Sequence, residues 1–275
     1  MMGASRTPSL TAYSGMVKNT ITRILPIGAR VELLRIGRYI ENIPYRNRFA
    51  ITRGEVQKFE HILDEKYSPL ERVKGAVEPR LQKGKERNVA IAAKKINATV
   101  IKPGEIFSYH QLVGRPSWLK GFRSGLQLLR DEESKGIGGG LCQISNMLYQ
   151  LAAGSGMLIV ERHRHGLDLF PDHVRTAPFG CGATVRYNYN DLRFENPLPY
   201  PVIVNLEIEY DRLRGAIAAP CEPDFKVIIE ERDHRFFWEN GTRMRENRIY
   251  RIITSLDGNL IKEELLAHNR CKVKY

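Results

Sequence analysis

Gly138, Gly139 and Gly140 stand in a row and lead directly into the segment from Leu141 to Gly154. In that segment Ile144, Met147, Leu148 and Leu151 fall at i, i+3, i+4 and i+7, one apolar face of a helix, and Gly154 is a natural stop. Glycine loses more conformational freedom on folding than any other residue. A run of three therefore implies a backbone at unusual angles or in close approach to a neighbour, with a helix starting near Cys142. A cysteine at that point meets the positive end of the helix dipole, which favours the thiolate. The unpaired N–H groups of the first turn, near Gly139, Gly140 and Gln143, could hold an oxyanion. The plainer reading of the same residues is a small buried cysteine beside a tight loop.

A cysteine nucleophile needs a base. Met157 to Gly166 reads as a strand leaving the helix, and His163 and His165, two residues apart, would share one face of it. Either could take the Cys142 proton, with Asp168 or Glu161 orienting the imidazole. His163, His165 and His173 with Cys142 or Cys181 could also be drawn as a mixed zinc site. No spacing matches a zinc signature, so neither metal nor another cofactor is expected. Arg115, Arg123 and Arg130 before the glycines, then Arg162, Arg164 and Arg175, suit an anionic substrate such as a peptide carboxylate.

The chain has 275 residues with a formal charge of +12, and nine Lys/Arg against two Glu in residues 1–53 place a local excess of seven there. That basic, broken amphipathic stretch fits an anionic membrane surface or a solvated helical face. Nucleic acid is not expected, because no helix-turn-helix, zinc finger or RNA-binding aromatic motif is present. No phosphate-binding loop or dinucleotide fingerprint is present either. No transmembrane span or secretory signal is visible, so the expected location is cytoplasmic or peripheral at the cytoplasmic membrane face. The four cysteines lie about forty to fifty residues apart with no CxxC pair, which predicts free thiols.

Residues 1–75 read as a basic, mostly helical lead-in, with two short helices around Pro26 and Gly28. A helix follows over Arg80–Val100, then strands at Thr99–Ile101 and Ile106–Tyr109 read as partners across a Pro103-Gly104 turn. The chain beyond Gly182 alternates strongly, as in Pro201–Tyr210, with turns at Asn240-Gly241 and Asp257-Gly258. The fold class is α+β with a largely antiparallel sheet: lead-in 1–75, central domain 76–210, β-rich extension 211–275.

The series Asn97–Ser108, Val113-Gly114-Arg115, Gly138-Gly-Gly-Leu-Cys142-Gln143-Ile-Ser145, Leu148-Tyr149, Glu161-Arg162-His163-Arg-His165, Ala183-Thr-Val185 and Asp191–Asn196 resembles the VanW family, over roughly residues 80–205. That resemblance implies a link to bacterial cell-wall peptidoglycan and glycopeptide resistance. Some relatives with this domain act as L,D-transpeptidases, joining stem peptides through a cysteine acyl-enzyme. Carried onto this chain, Cys142 is the nucleophile and His165, with His163 beside it, moves protons. Where the family often has an acidic residue before Ala-Thr-Val, this chain has Cys181-Gly182, which passes the orienting role to a group such as Asp168. Gly139, Gly140, Gln143, Ser145, Arg115 and Arg162 would bind a stem peptide or its precursor. The alternative is a non-catalytic accessory protein that recognises the same precursors.

Overall fold

The computed structural model describes residues 27–71, 77–129, 132–164, 167–168, 172 and 177–274. The chain divides into two compact units, Met1–Tyr45 and Arg46–Tyr275. The first contains helix α1 (Ile27–Asn42). Its start just beyond Pro26 agrees with proline's tolerance at a helix entrance but not in its interior. Leu33, Ile36 and Ile40 lie on one side of α1 and are 49%, 54% and 62% exposed.

The second unit is α+β, and its sheets are almost entirely antiparallel. In chain order it comprises β1 (His61–Pro69), α2 (Pro79–Ile96), β2 (Thr99–Ile101), β3 (Ile106–Ser108), α3 (Tyr109–Val113), β4 (Ser124–Leu129) and β5 (Glu132–Ile137). Then come α4 (Cys142–Gly154), β6 (Leu158–Glu161), β7 (Leu167–Asp168), β8 (Arg193–Glu195), β9 (Val202–Glu209) and β10 (Arg212–Ala219). Three long strands close it: β11 (Phe225–Glu239), β12 (Thr242–Ser255) and β13 (Leu260–Val273).

The sheet orders are β1-β10-β9-β2, β11-β12-β13-β7, β3-β8-β6 and the hairpin β4-β5. Among the described strands only β7 runs parallel to its neighbour, β13. Strand β1 lies inside the stretch read as a helical lead-in, and it pairs with β10 from His61↔Ala219 to Pro69↔Arg212. The two short strands read as partners are not paired: β2 joins β9 and β3 joins β8. The Ile106 strand is also cut short at Ser108, whose side-chain oxygen accepts the Gln111 N–H and caps α3.

Helices α2 and α4 cover one face of the β1-β10-β9-β2 sheet. The alternation of β9 divides its side chains between two clusters. Val202, Val204 and Leu206 enter the main core with Ile144, Leu148 and Leu151 of α4, whereas Ile203 packs with Val100 and Ala218 on the other face. Gly215 of β10 lets α4 settle closely, since a Cβ there would lie 2.5 Å from the Met147 sulfur.

The glycine run is explained by a backbone crossing. Gly138 and Gly140 have φ of +83° and +90°, in the region that favours glycine. Gly139 has no room for a side chain, because its Cβ would lie 2.1 Å from the Gly125 carbonyl oxygen. Asn88 of α2, fully buried, clamps this crossing. Its Nδ2 donates to Arg123 O and Gly139 O, both at 2.9 Å, and its Oδ1 accepts the Arg123 N–H at 2.7 Å.

Replacing Asn88 by alanine takes this partner from Gly139 O and the Arg123 N–H, while Arg123 O keeps the Gly138 N–H at 3.0 Å. The expected loss is about 2–4 kcal/mol, read as a lower urea midpoint with an unchanged denaturant slope.

Candidate functional site

Cys142 is the first residue of α4, directly after the glycine crossing, and is half-buried. Burial pushes its thiol above the ordinary value, against the lowering effects of the Val185 N–H, the Arg186 charge and its own N–H. The helix-dipole expectation of a ready thiolate is therefore corrected: desolvation outweighs the favourable groups around the sulfur. Tyr109, buried behind this point, carries a phenol with no hydrogen-bond partner, and burial and the nearby Cys142 raise its pKa well above the usual tyrosine value.

Most of the expected binding set makes contacts within the fold. Gln143 ties α4 to β1, its Nε2 donating to Ser68 Oγ and Pro69 O at 2.8 Å each. Ser145 Oγ donates to Ala183 O at 2.6 Å. With Asn146 Oδ1, which accepts the Ala183 N–H at 2.7 Å, this fixes the segment that leads to Val185. Gly139 is the backbone crossing, and a Cβ on Gly140 would strike Lys85 at 2.3 Å. Arg115 is exposed. Arg162 donates to the carbonyls of Gly180 and Gly182 and lies 4.2 Å over the Tyr149 ring, so it clamps a loop.

His163 follows the end of β6, outside the strand, so the shared-face argument for His163 and His165 does not apply. Its Nε2 is 2.9 Å from Glu161 Oε1, and its backbone carbonyl accepts the Thr184 N–H at 2.8 Å. His163 thus adjoins the 183–186 segment that borders Cys142. His165 lies outside the described residues, as do His173, Arg130 and Arg175. Asp168 is buried in β7 and accepts from Arg245 Nη1 at 3.0 Å. The carboxylate beside a described histidine of the pair is Glu161, not Asp168.

Sequence reasoning missed two residues near the thiol. Asp191 is buried and accepts from Ser108 Oγ (2.5 Å), Arg193 Nε (2.8 Å) and the His110 N–H (3.0 Å). His110 Nε2 lies 2.8 Å from both Arg186 O and Asn190 O. The available signal was Ser108, which ends β3 and also caps α3, where the sequence reading carries the strand on to Tyr109.

Among the described residues no group of three or more His, Cys, Asp or Glu is placed to hold a metal ion. All four cysteines are free. No described helix is long and apolar enough to cross a membrane. A cavity of about 400 Å³ lies toward the far end of α4, lined by Asp64, Tyr149, Cys181 and Phe225 among others, and Cys142 is not part of its wall.

The family described as "VanW like protein" matches residues 84–218, which run from α2 into β10 and include the glycine crossing and Cys142. The chain is similar to the vancomycin B-type resistance protein VanW of Enterococcus faecalis, with 27% identity over 195 residues, 70% of this chain and 71% of that protein. It is also similar to the uncharacterized protein YoaR of Bacillus subtilis, with 34% identity over 125 residues, 44% of this chain and 39% of that protein. No solved structure matches. With its glycine crossing, half-buried cysteine and antiparallel core inside the matched region, the chain is VanW-like over residues 84–218.

Proposed function

We propose that this protein takes part in glycopeptide resistance by cysteine-dependent acyl transfer on a peptidoglycan stem peptide or its precursor, an L,D-transpeptidase-like reaction. The observation that carries this reading is the setting of Cys142. A thiol at the first turn of a helix has two backbone N–H groups and an arginine charge bearing on its sulfur. The similarity to a protein named for vancomycin resistance supplies the cell-wall context.

In the proposed reaction the Cys142 sulfur attacks the carbonyl carbon of a stem-peptide amide as its proton passes to a base. The C–S bond forms, the C–N bond breaks, and the departing amine takes up the proton. An acceptor amine then attacks the thioester and regenerates the thiol. His163, oriented by Glu161, is the described imidazole assigned to proton transfer. The N–H groups of Leu141, Gln143 and Ile144 donate to Gly138 O, Gly140 O and Leu141 O, so the Cys142 N–H would receive the oxyanion.

Incubation with a stem tetrapeptide is expected to add the acyl mass to the wild-type chain and not to Cys142→Ala. Cross-linked product from the alanine variant would refute the cysteine mechanism. Because burial raises the Cys142 thiol, its haloacetamide alkylation should accelerate with a midpoint above the ordinary thiol range of about 8.5. A midpoint below that value would mean that the N–H groups and Arg186 outweigh burial.

The raised thiol favours a second reading, an accessory protein that binds cell-wall precursors without turnover. It expects precursor affinity that survives Cys142→Ala, which equilibrium binding to that variant would measure.

The half-exposed apolar side of α1, with the basic excess of residues 1–53, supports peripheral attachment to an anionic bilayer. The full chain should co-sediment with vesicles containing acidic lipid and be released at about 0.5 M salt, where screening is short-ranged. Binding indifferent to lipid charge and salt would contradict this.

A further inference from the structure

His110 is the second residue of α3 and is held from two directions. Its backbone N–H donates to Asp191 Oδ1 at 3.0 Å, while its ring Nε2 lies 2.8 Å from the carbonyl oxygens of Arg186 and Asn190. Two carbonyl acceptors at one ring nitrogen require the proton there, so the neutral ring carries N–H at Nε2 and a lone pair at Nδ1. Nδ1 is buried without a hydrogen-bond partner. The ring also meets Tyr109 and Tyr187 edge-on, at 5.7 and 5.6 Å between centroids.

The two carbonyls belong to one tight turn. Arg186 N–H donates to Asn190 O at 2.9 Å, and Asn190 N–H returns to Arg186 O at 3.0 Å. Asn188 within the turn has φ of +49°, a conformation that needs support from its surroundings. Arg186 O also accepts the Tyr189 N–H at 3.0 Å, so both of its lone pairs serve the turn, whereas Asn190 O has a lone pair left for the imidazole N–H. Immediately before this turn lies Val185, whose N–H bears on the Cys142 sulfur, and the turn's first residue is Arg186, whose charge does the same.

We propose that His110 is a positioning residue for Cys142: its imidazole N–H locks the 186–190 turn and so holds the Val185 N–H and the Arg186 charge against the sulfur. The inference rests on Cys142 being the reactive thiol, and it places control of that thiol in a histidine 32 positions earlier in the chain. Burial is the main influence on the ring and lowers its pKa, against the raising effects of Asp191 and the two carbonyls, with Arg193 adding a further lowering. The turn requires a proton at Nε2, which the neutral Nε2–H tautomer supplies, and burial disfavours a second proton at Nδ1.

The test is alkylation of the full-length protein by iodoacetamide across pH, read at each cysteine by mass spectrometry, for wild type, His110→Phe and His110→Gln. Cys221, which is exposed, is the internal reference. Loss of one hydrogen-bonded support should slow Cys142 at neutral pH about three- to tenfold and move its midpoint upward. Cys221 should be unaffected. His110→Gln, which keeps an N–H donor, should recover most of the rate.

An unchanged Cys142 profile in folded His110→Phe would overturn the proposal. A downward midpoint would also overturn it, because the turn would then only shield the thiol from water. Should His110→Phe not fold, the wild-type ring nitrogens settle the matter by NMR: an Nε2–H tautomer supports the assignment and an Nδ1–H tautomer overturns it. No stem peptide enters this experiment. Its outcome is therefore independent of whether acyl transfer occurs, and an inactive protein with a His110-dependent thiol would refute only the functional reading.

Discussion

The contact on which the site depends is the passage of one backbone directly over another at Gly125 and Gly139. A Cβ on Gly139 would overlap the Gly125 carbonyl, so no other residue type fits without separating the hairpin β4-β5 from the start of α4. Asn88 closes the crossing with three hydrogen bonds from the middle of α2. The position of Cys142, three residues later, thus follows from main-chain packing. Further along the helix, Gln143 anchors it to the end of β1, and Gly215 admits Met147 into the sheet surface. Three independent attachments leave α4 little freedom to rotate its first turn.

That rigidity frames the electrostatic contest at the sulfur. A helix N-terminus contributes about 0.3–1 kcal/mol to a charge near it, whereas full burial can shift a titrating group by up to about 3–5 units. For Cys142 the direction is upward, so burial prevails. Cys181 provides a comparison in the same unit. It is buried among largely apolar neighbours, Arg162 only partly compensates, and its thiol is pushed up to about 11. Cys142 has the better-equipped surroundings of the two, with N–H groups from two residues and a guanidinium, yet it is not ionised in advance. Chemistry at this thiol therefore needs proton removal coupled to attack, which makes the neighbouring imidazoles central.

Much of the fold was legible where local pattern and tertiary packing agree. The i, i+3, i+4, i+7 stripe located α4, and the alternation of Pro201–Tyr210 located β9. The helix ended at Gly154 as expected, although the positive-φ glycine is Gly156. What could not be read is pairing at a distance. β1 is built of His61–Pro69 with polar residues at several positions, and its partner β10 lies some 150 residues onward. β2 and β3 are separated by a tight turn that looks like a hairpin, but β9 and β8 compete for them and win. Residue types were also ambiguous. Gln143, Ser145 and Arg162 have the polar ends that a substrate site needs, and the same ends satisfy buried carbonyls when a helix must be tied to irregular chain.

The carboxylates near the histidines show how such ambiguity is resolved. Asp168 and Glu161 are equally suitable in sequence as orienting groups for an imidazole. β7 pairs with β13, which brings Asp168 beside β12 and the buried Arg245, whose Nη1 it meets at 3.0 Å. Arg245 also meets Asp172 at 2.7 Å, so its guanidinium joins two aspartates to the long C-terminal sheet. Glu161 ends β6 instead, where β8 places Asp191 and Arg193 next to it. Its Oε1 accepts the Asp191 N–H at 3.0 Å and faces His163 at 2.9 Å. One carboxylate therefore joins β6, the Asp191 hub and an imidazole in a single network. The strand order, not the spacing of the acids along the chain, sets Glu161 beside His163 and Asp168 beside Arg245.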